Sequence, residues 1–595
     1  MGAISRVFDS ISLKYPLLRR YAAIFHADLS ATYSRAIQKW LLVAPVIGIA
    51  VGLLITLLTK ILLDIVWATI LPIYLRYHWT IVPGLVVGFY LTGLIMQYRT
   101  PDPNEHSSEE IIRSYHEREG DIDMKPFWWK LLAAITTVGC GGSAALEGPS
   151  IYGGGAIGSW VWTKLERFGL EPRDRRLMLI SGAGAGMAAV FRAPLTGLIF
   201  ALEMPYKDDL AHEALLPSLI ASVFSYATLA SILGATPLFG FAGSTSFRTA
   251  DLFWSALLGF ICGLIAMVFT ITFRKVRAFA VHAPISHTRK LVIGGLLTGI
   301  CGLIFITAYP GILIPLGPNY EAVREVLSHP HPSSELIVFA FVKLLATLFS
   351  LGVGGVSAMF VPLFLAGGAI GSAFAQSIAH APTFDLYAAV GMASFIAAGY
   401  KAPLTAVVFV AETTGGHSFL IPTLIGAACA YAISGEASAS GDQRLHEVVK
   451  LYGFTGVAVR EVMQGDVVSV AAQASMREFA DSIAADHGHV NYPVVENGQV
   501  IGTISVAALG RSAPERWNAT RVGEVANRNV PSIAASADVA EALRMLARED
   551  SQRILIVTEP GGKITGIVTG GDILRALQPR AARPNHRAGE NVRDE

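Results

Sequence analysis

Ionisable side chains are scarce in this sequence: Asp, Glu, Lys and Arg make up 15% of its 595 residues against 52% hydrophobic residues. That balance excludes an ordinary soluble enzyme of this size. Neither sign of charge dominates, the formal net charge being +1, so nothing here argues for a nucleic-acid partner. Cysteine is scarce too: Cys140, Cys262, Cys301 and Cys429 all lie in apolar segments without metal-ligand spacing. A disulfide frame and a metal centre are therefore not expected. A nucleophile elbow and a phosphate-binding loop are also missing, which leaves no ground for an enzyme and none for a required cofactor. The first 37 residues are basic (Arg6, Lys14, Arg19, Arg20, Arg35) but lack the continuous apolar core and cleavage site of a secretory signal. They read as an uncleaved cytoplasmic segment, 1–37.

Apolar stretches fill the chain from about Trp40 to Ser434. Leu41–Leu63, Thr80–Met96, Leu252–Phe273, Leu291–Tyr309 and Ile337–Leu351 suit a bilayer, which takes roughly 20 residues per helical crossing. Other stretches are shorter and interrupted by Gly or Pro. Broken helices are tolerated at membrane depth where their freed backbone groups line a cavity or bind a ligand; close packing of Gly-rich helices is the plainer alternative.

The chain repeats itself. Gly141–Pro149 (GGSAALEGP) with Gly154–Ser159 (GGAIGS) recurs as Gly354–Pro362 (GGVSAMFVP) with Gly367–Ser372 (GGAIGS), at an offset of 213 residues (362 less 149). Downstream, Arg192–Thr196 (RAPLT), Phe200 and Glu203 recur as Lys401–Thr405 (KAPLT), Phe409 and Glu412, at an offset of 209 (403 less 194). Duplicated hydrophobic units characterise transporters whose halves meet at a midplane site. The repeat alone leaves open whether the halves are inverted. Both copies combine a Gly-rich approach with Pro at a helix start, where backbone N–H groups are left unpaired. Two such starts aimed at one spot make an anion site from amide dipoles, without a buried Lys or Arg. Partial charges hold an anion loosely enough for it to leave again.

Glu147 is the one ionisable residue in the two Gly-rich blocks, and its repeat partner is Phe360. A carboxylate at the positive end of a helix can occupy the anion's place and act as a gate. The competing role is a helix-terminus charge that only stabilises the fold.

On these blocks, residues 35–450 resemble the CLC family of chloride channels and chloride/proton exchangers. Ala145-Leu146-Glu147-Gly148-Pro149 is similar to that family's G-[KR]-E-G-P, and Ala358-Met359-Phe360-Val361-Pro362 to its G-x-F-x-P. The resemblance implies an α-helical integral membrane protein with two inverted-repeat halves, about 17–18 helices, several of them broken or re-entrant. It also implies a homodimer with one pore per subunit, a plasma or inner membrane location, cytoplasmic termini, and chloride as the transported ligand. Glu147 falls at the gating glutamate. Gly148 and the amides of Met359, Phe360 and Val361 fall at the anion site.

Three positions depart from the family pattern. The serine loop G-S-G-I-P is reduced to Asn104-Glu105-His106-Ser107-Ser108, with Ser107 the matching hydroxyl and His106 there on an ungapped count. Ser440 stands where the family has an anion-capping tyrosine, which implies a weaker or more open inner gate. Met204 stands at the proton-relay glutamate. Glu203 lies one residue earlier, about 100° around a helix, and its match at Glu412 favours a structural role. These departures favour a passive or loosely proton-coupled pathway over an exchanger; fluoride- or nitrate-selective transport, and a membrane-tethered nucleotide sensor without transport, are the alternatives.

From about Gln443 the composition shifts to alternating apolar strands and charged helices. Val457–Met463 opens a unit ending near Ser505, and Thr520–Val525 opens another ending near Asp572, each reading as strand, helix, strand, strand, helix, with Ser475–Ala485 and Val539–Arg548 as amphipathic helices. The pair resembles tandem CBS domains, which often bind adenine nucleotides. In that family a G-x-x-T-x-x-D stretch holds phosphate and ribose, and Thr569 and Asp572 match it; the first unit has Ser505 and Ala508 instead. A purely structural pair is the other reading. The expected domains are thus 1–37, the transport domain 38–445, CBS units 446–513 and 514–578, and a disordered tail 579–595.

Overall fold

The fold is that of a computed structural model. It describes residues 34–445 and 457–577, apart from 169, 237, 240–246, 319, 382–383, 416, 466, 485–490, 498, 512–513, 529–531, 547–553 and 559–563. Most of the expected N-terminal segment 1–37 and all of the tail 579–595 lie outside the described residues. The chain divides into two compact units, Met1–Glu447 and Val448–Glu595.

The first unit is helical. Its helices are α1 (Ser34–Thr59), α2 (Ala68–Arg76), α3 (Ile81–Arg99), α4 (Ser107–Glu117), α5 (Phe127–Gly139), α6 (Glu147–Leu165), α7 (Pro172–Phe191), α8 (Pro194–Glu203), α9 (Leu215–Leu233), α10 (Thr249–His282), α11 (His287–Ala308), α12 (Tyr320–Ser328), α13 (Ser333–Leu351), α14 (Phe360–Ser377), α15 (Asp385–Tyr400), α16 (Pro403–Thr414) and α17 (Leu420–Ile433). Among the described residues, 7 segments are long and apolar enough to cross a membrane, the longest running from Ile37 to Arg76 through a π-helical stretch at Lys60–Trp67. α8, α16 and α17 are apolar but shorter, 10 to 14 residues, too short for a roughly 20-residue crossing.

The two repeats are related by an approximate two-fold axis. Ala145 and Ala358, repeat equivalents, pair with each other in an antiparallel bridge. The Ser143 N–H donates to Ser350 Oγ at 2.9 Å, and the Val356 N–H donates to Thr137 Oγ1 at 3.3 Å; each bond becomes the other when the halves are exchanged. Gly141 and Gly354, also equivalents, turn the two loops with φ of 105° and 111°, a region open to glycine and closed to most other residues.

The same exchange governs α8 and α16. Glu203, at the last turn of α8, accepts from the Leu404 and Thr405 amides (3.0 and 2.7 Å) and from Thr405 Oγ1 (2.6 Å). Glu412, in the last turn of α16, accepts from the Leu195 and Thr196 amides (3.0 and 2.7 Å) and from Thr196 Oγ1 (2.6 Å). Each carboxylate caps the other helix's N-terminus, where orphan N–H groups and the helix dipole favour negative charge. This geometry requires equivalent helices to run in opposite directions, so the repeats are inverted. Each half packs its Gly-rich helix against the next one in the same way: a Cβ on Gly182 would lie 2.2 Å from the Gly154 carbonyl, and one on Gly391 2.2 Å from the Gly367 carbonyl.

The second unit holds two three-stranded sheets. β1 (Val470–Ala471) is parallel to β2 (Asn491–Glu496), which is antiparallel to β3 (Gln499–Ser505); β4 (Ser532–Ala534), β5 (Ile554–Thr558) and β6 (Ile564–Thr569) repeat that order. The openers read from the sequence are exchanged between the units. Val459 is buried with Ile533, Leu555 and Val568 of the second sheet and with Val539 of the helix after β4, whereas Val522 is buried with Val470, Tyr492 and Ile504 of the first. Gln464 and Ile567 exchange backbone hydrogen bonds, as do Thr503 and Asn527. Each opener therefore completes its neighbour's core. The expected helices are present over the described residues, as Met476–Glu478 continued by a π-helical turn to Ala484 and as Val539–Leu546; Ala485, Ala547 and Arg548 lie outside the described residues.

Candidate functional site

Three helix starts meet in the membrane unit. The Phe360 N–H at the start of α14 donates to Glu147 Oε1 at 2.8 Å, and the Val361 amide faces the same carboxylate. Glu147 opens α6 and is fully buried. The unequal repeat partners thus touch, with the carboxylate of one half occupying the N-terminus of the other half's helix, the place an anion would take. Oε2 has no hydrogen-bond partner among the described residues. A buried carboxylate oxygen left unmet costs free energy.

Beside this contact lies a cavity of about 30 Å³, more than the ~10–15 Å³ that one water needs. Ser107, Met359, Tyr400 and Ser440 line it, together with Glu109 and Arg277. Ser107 is the first residue of α4, in a left-handed conformation (φ 59°) unusual for a side chain with a Cβ. His106 Nδ1 lies 3.2 Å from Ser107 Oγ, and both residues line the cavity. Arg277 Nη2 donates to Glu109 Oε2 at 2.6 Å and to the Asn104 carbonyl at 3.3 Å, closing part of the wall with an ion pair.

Ser440 is buried at the cavity, its N–H donating to Ser438 Oγ at 3.2 Å. A tyrosine from another part of the chain lines the same cavity as this serine. Tyr400 ends α15, and its Oη accepts the Met359 N–H at 3.0 Å. Gln443 ties the region together: its Nε2 donates to the carbonyls of Met204, Tyr206 and Tyr400 at 3.1, 3.2 and 3.2 Å. The Ala439 N–H donates to the Gly399 carbonyl at 2.7 Å. Tyr400 and Ser440 are held side by side for this reason.

Of the amides expected to face an anion, that of Met359 is taken by Tyr400, while those of Phe360 and Val361 are directed at Glu147. Gly148 sits where the two Gly-rich loops cross; a Cβ there would lie 2.6 Å from Ser357 Cα, so its role here is close backbone approach. Met204 is buried and offers no titratable group; its N–H donates to the Phe200 carbonyl at 2.8 Å. Glu203 is committed to capping α16.

One buried cation escaped the sequence reading, which built the site without any Lys or Arg. Lys343 of α13 is 0% exposed, donates from Nζ to the carbonyls of Ile314 and Pro315 (3.3 and 3.2 Å), and interacts electrostatically with Glu147. Its signal was a single ionisable residue inside the apolar run Ile337–Leu351. The signal for Tyr400 was the residue just before the duplicated Ala-Pro-Leu-Thr block, where the first repeat has Phe191.

In the second unit, Thr569 and Asp572 bond to each other at the start of helix Gly570–Leu577. Asp572 Oδ2 accepts from the Thr569 N–H (2.9 Å) and Oγ1 (2.6 Å), and the Asp572 N–H donates to Thr569 Oγ1 (3.3 Å). This is a reciprocal helix cap. In the first unit Ser505 Oγ accepts from the Ala507 N–H at 3.2 Å.

Comparison with known proteins agrees with this architecture. The H(+)/Cl(-) exchange transporter ClcA of Yersinia pestis bv. Antiqua (strain Angola) is 28% identical over 325 residues, which is 52% of this chain and 66% of the relative. The chain thus spans slightly less than two thirds of that relative's length. An uncharacterized protein of Methanocaldococcus jannaschii is 26% identical over 404 residues, 67% of this chain and 94% of the relative. Among solved structures, a CLC-type fluoride/proton antiporter shares the fold with a TM-score of 0.61 at 22% identity, covering 70% of this chain and 100% of that one. A slow cyanobacterial Cl-/H+ antiporter does so at 0.58 and 21%, covering 66% and 94%. The CBS domain family matches residues 459–510 and 522–579. The family described as Voltage gated chloride channel matches residues 87–435, more than half of the chain, and it is to this family that the protein belongs, with a pair of CBS domains following the membrane part.

Proposed function

We propose that the protein carries small anions, chloride foremost, through a pathway that Glu147 blocks when its carboxylate sits on the α14 amides and opens when it leaves. The observation that carries this reading is the Glu147 Oε1 contact with the Phe360 N–H at 2.8 Å, because the groups that hold the carboxylate are those that would hold an anion. Passive or loosely proton-coupled movement is the mode the residues favour: Met204 brings no proton-accepting group, and Glu203 is occupied as a helix cap. Chloride/proton exchange is the second reading, favoured by relatives named as exchangers; the fluoride/proton antiporter among the fold neighbours supports fluoride as an alternative ion. The homodimer, the plasma or inner membrane, cytoplasmic termini, and adenine nucleotide at the CBS pair belong to the same proposal.

The experiment is flux from liposomes containing the purified full chain under a chloride gradient, with internal pH recorded. Chloride release with little accompanying proton movement supports the passive mode, and stoichiometric uphill proton pumping overturns it. For the CBS pair, calorimetry of the full chain with ATP, ADP and AMP decides. Heat that disappears in Asp572→Ala supports nucleotide binding, and no heat at millimolar nucleotide removes it.

A further inference from the structure

We infer that Tyr400 supplies the hydroxyl that grips the anion in the cavity beside Glu147 and so sets which anions pass. This rests on the anion pathway proposed above. The Tyr400 Oη already accepts the Met359 N–H, at 3.0 Å. A phenol has one proton to donate, and that proton has no acceptor among the described residues. Tyr400 and its partner Met359 both line a cavity whose wall includes Ser107 and Ser440, hydroxyl side chains that are themselves buried. An anion there receives the Tyr400 O–H directly. The bond from Met359, itself the N-cap of α14, polarises that O–H, because hydrogen bonds in series strengthen one another.

The rest of the surroundings are aromatic. Tyr400 packs on Phe360 at 5.5 Å, and Phe360 on Phe191 and Phe409 at 5.9 and 4.8 Å. Phe191 is the repeat equivalent of Tyr400 at the offset of 209 residues (400 less 191), so the hydroxyl is the feature that separates these two ring positions. It stands on the half whose other unequal position, Phe360, lacks the carboxylate. At the two unequal pairs of repeat positions, the polar member is Glu147 in the first half and Tyr400 in the second.

The test measures liposome flux of chloride and nitrate through the full chain carrying Tyr400→Phe, or 3-fluorotyrosine at position 400, beside Glu147→Ala. Chloride is the stronger hydrogen-bond acceptor, and a bond to an ion is among the stronger ones in proteins. Removing the donor should raise the nitrate-to-chloride flux ratio by about fivefold. The fluorinated ring, whose O–H is a stronger donor, should lower that ratio. A hydroxyl that only pairs the Met359 N–H would cost thermal stability and leave the ratio unchanged for both variants, and that result overturns the inference. If Glu147→Ala alters flux while the Tyr400 variants do not shift the ratio, this inference fails and the pathway stands. If Glu147→Ala has no effect on flux, the pathway itself fails.

Discussion

At the scale of single residues, the two glutamates that a sequence reader would pick out in the membrane part have different work. Glu147 keeps one buried oxygen unmet, whereas Glu203 has both oxygens engaged by the α16 amides and Thr405. Replacing Glu203 with Ala strands buried N–H groups, a loss of about 1–3 kcal/mol. The apparent Tm in detergent should fall by several degrees, and Glu412→Ala, which uncaps a more exposed helix start, should lower it less. Proton permeability of the reconstituted protein should be unchanged in both; altered proton flux at wild-type Tm would instead mark Glu203 as a relay. Lys343→Met tests the buried cation: with its positive charge removed near Glu147, half-saturation of chloride flux should need a several-fold higher concentration, since a charge in a water-poor site acts strongly on an anion. An unchanged concentration dependence would confine Lys343 to its carbonyl partners Ile314 and Pro315.

At the scale of elements, helix crossings with almost no space hold each half together. The Gly154–Gly182 and Gly367–Gly391 contacts leave no room for a side chain, since the atoms a Cβ would meet are backbone carbonyls that cannot swing away. Gly182→Val and Gly391→Val should therefore both abolish a monodisperse peak in size-exclusion chromatography. A well-behaved variant at either position would contradict the packing.

Much of this was legible in the sequence, because a duplicated helix start with its own Gly and Pro chemistry announces itself through spacing. The Glu147–Phe360 asymmetry, the structural role of Glu203 and the paired C-terminal units all came from comparing copies position by position. What escaped was what a repeat cannot encode. The direction of the second half depends on reciprocal contacts such as Ala145 with Ala358, which exist only once the loops meet. Tyr400 lies 40 residues before Ser440 (440 less 400) along the chain and reaches the cavity because Gln443 and Ala439 fasten its helix end to the C-terminal loop. Lys343 was passed over because its helix is apolar on average.

At the scale of the whole molecule, the chain joins two duplicated units that solve the same problem differently. The membrane halves bury their helix ends against each other through inverted contacts, and the CBS units trade their opening segments so that neither core is complete alone. Residues 457–519, which hold the first sheet without the Val522 segment that completes its core, should lack a cooperative thermal transition when expressed alone, whereas residues 448–595 should show one. A cooperative transition in the shorter piece would contradict the exchange.

Whether Glu147 occupies the anion's own place at the start of α14 is decided by chloride flux from liposomes through wild-type protein and Glu147→Ala, with internal pH followed in the same vesicles. Wild-type protein should release chloride, and Glu147→Ala should change the rate severalfold and remove its dependence on pH, because no carboxylate is left to compete for the Phe360 and Val361 amides. Identical rates and identical pH dependence in the two proteins would contradict it.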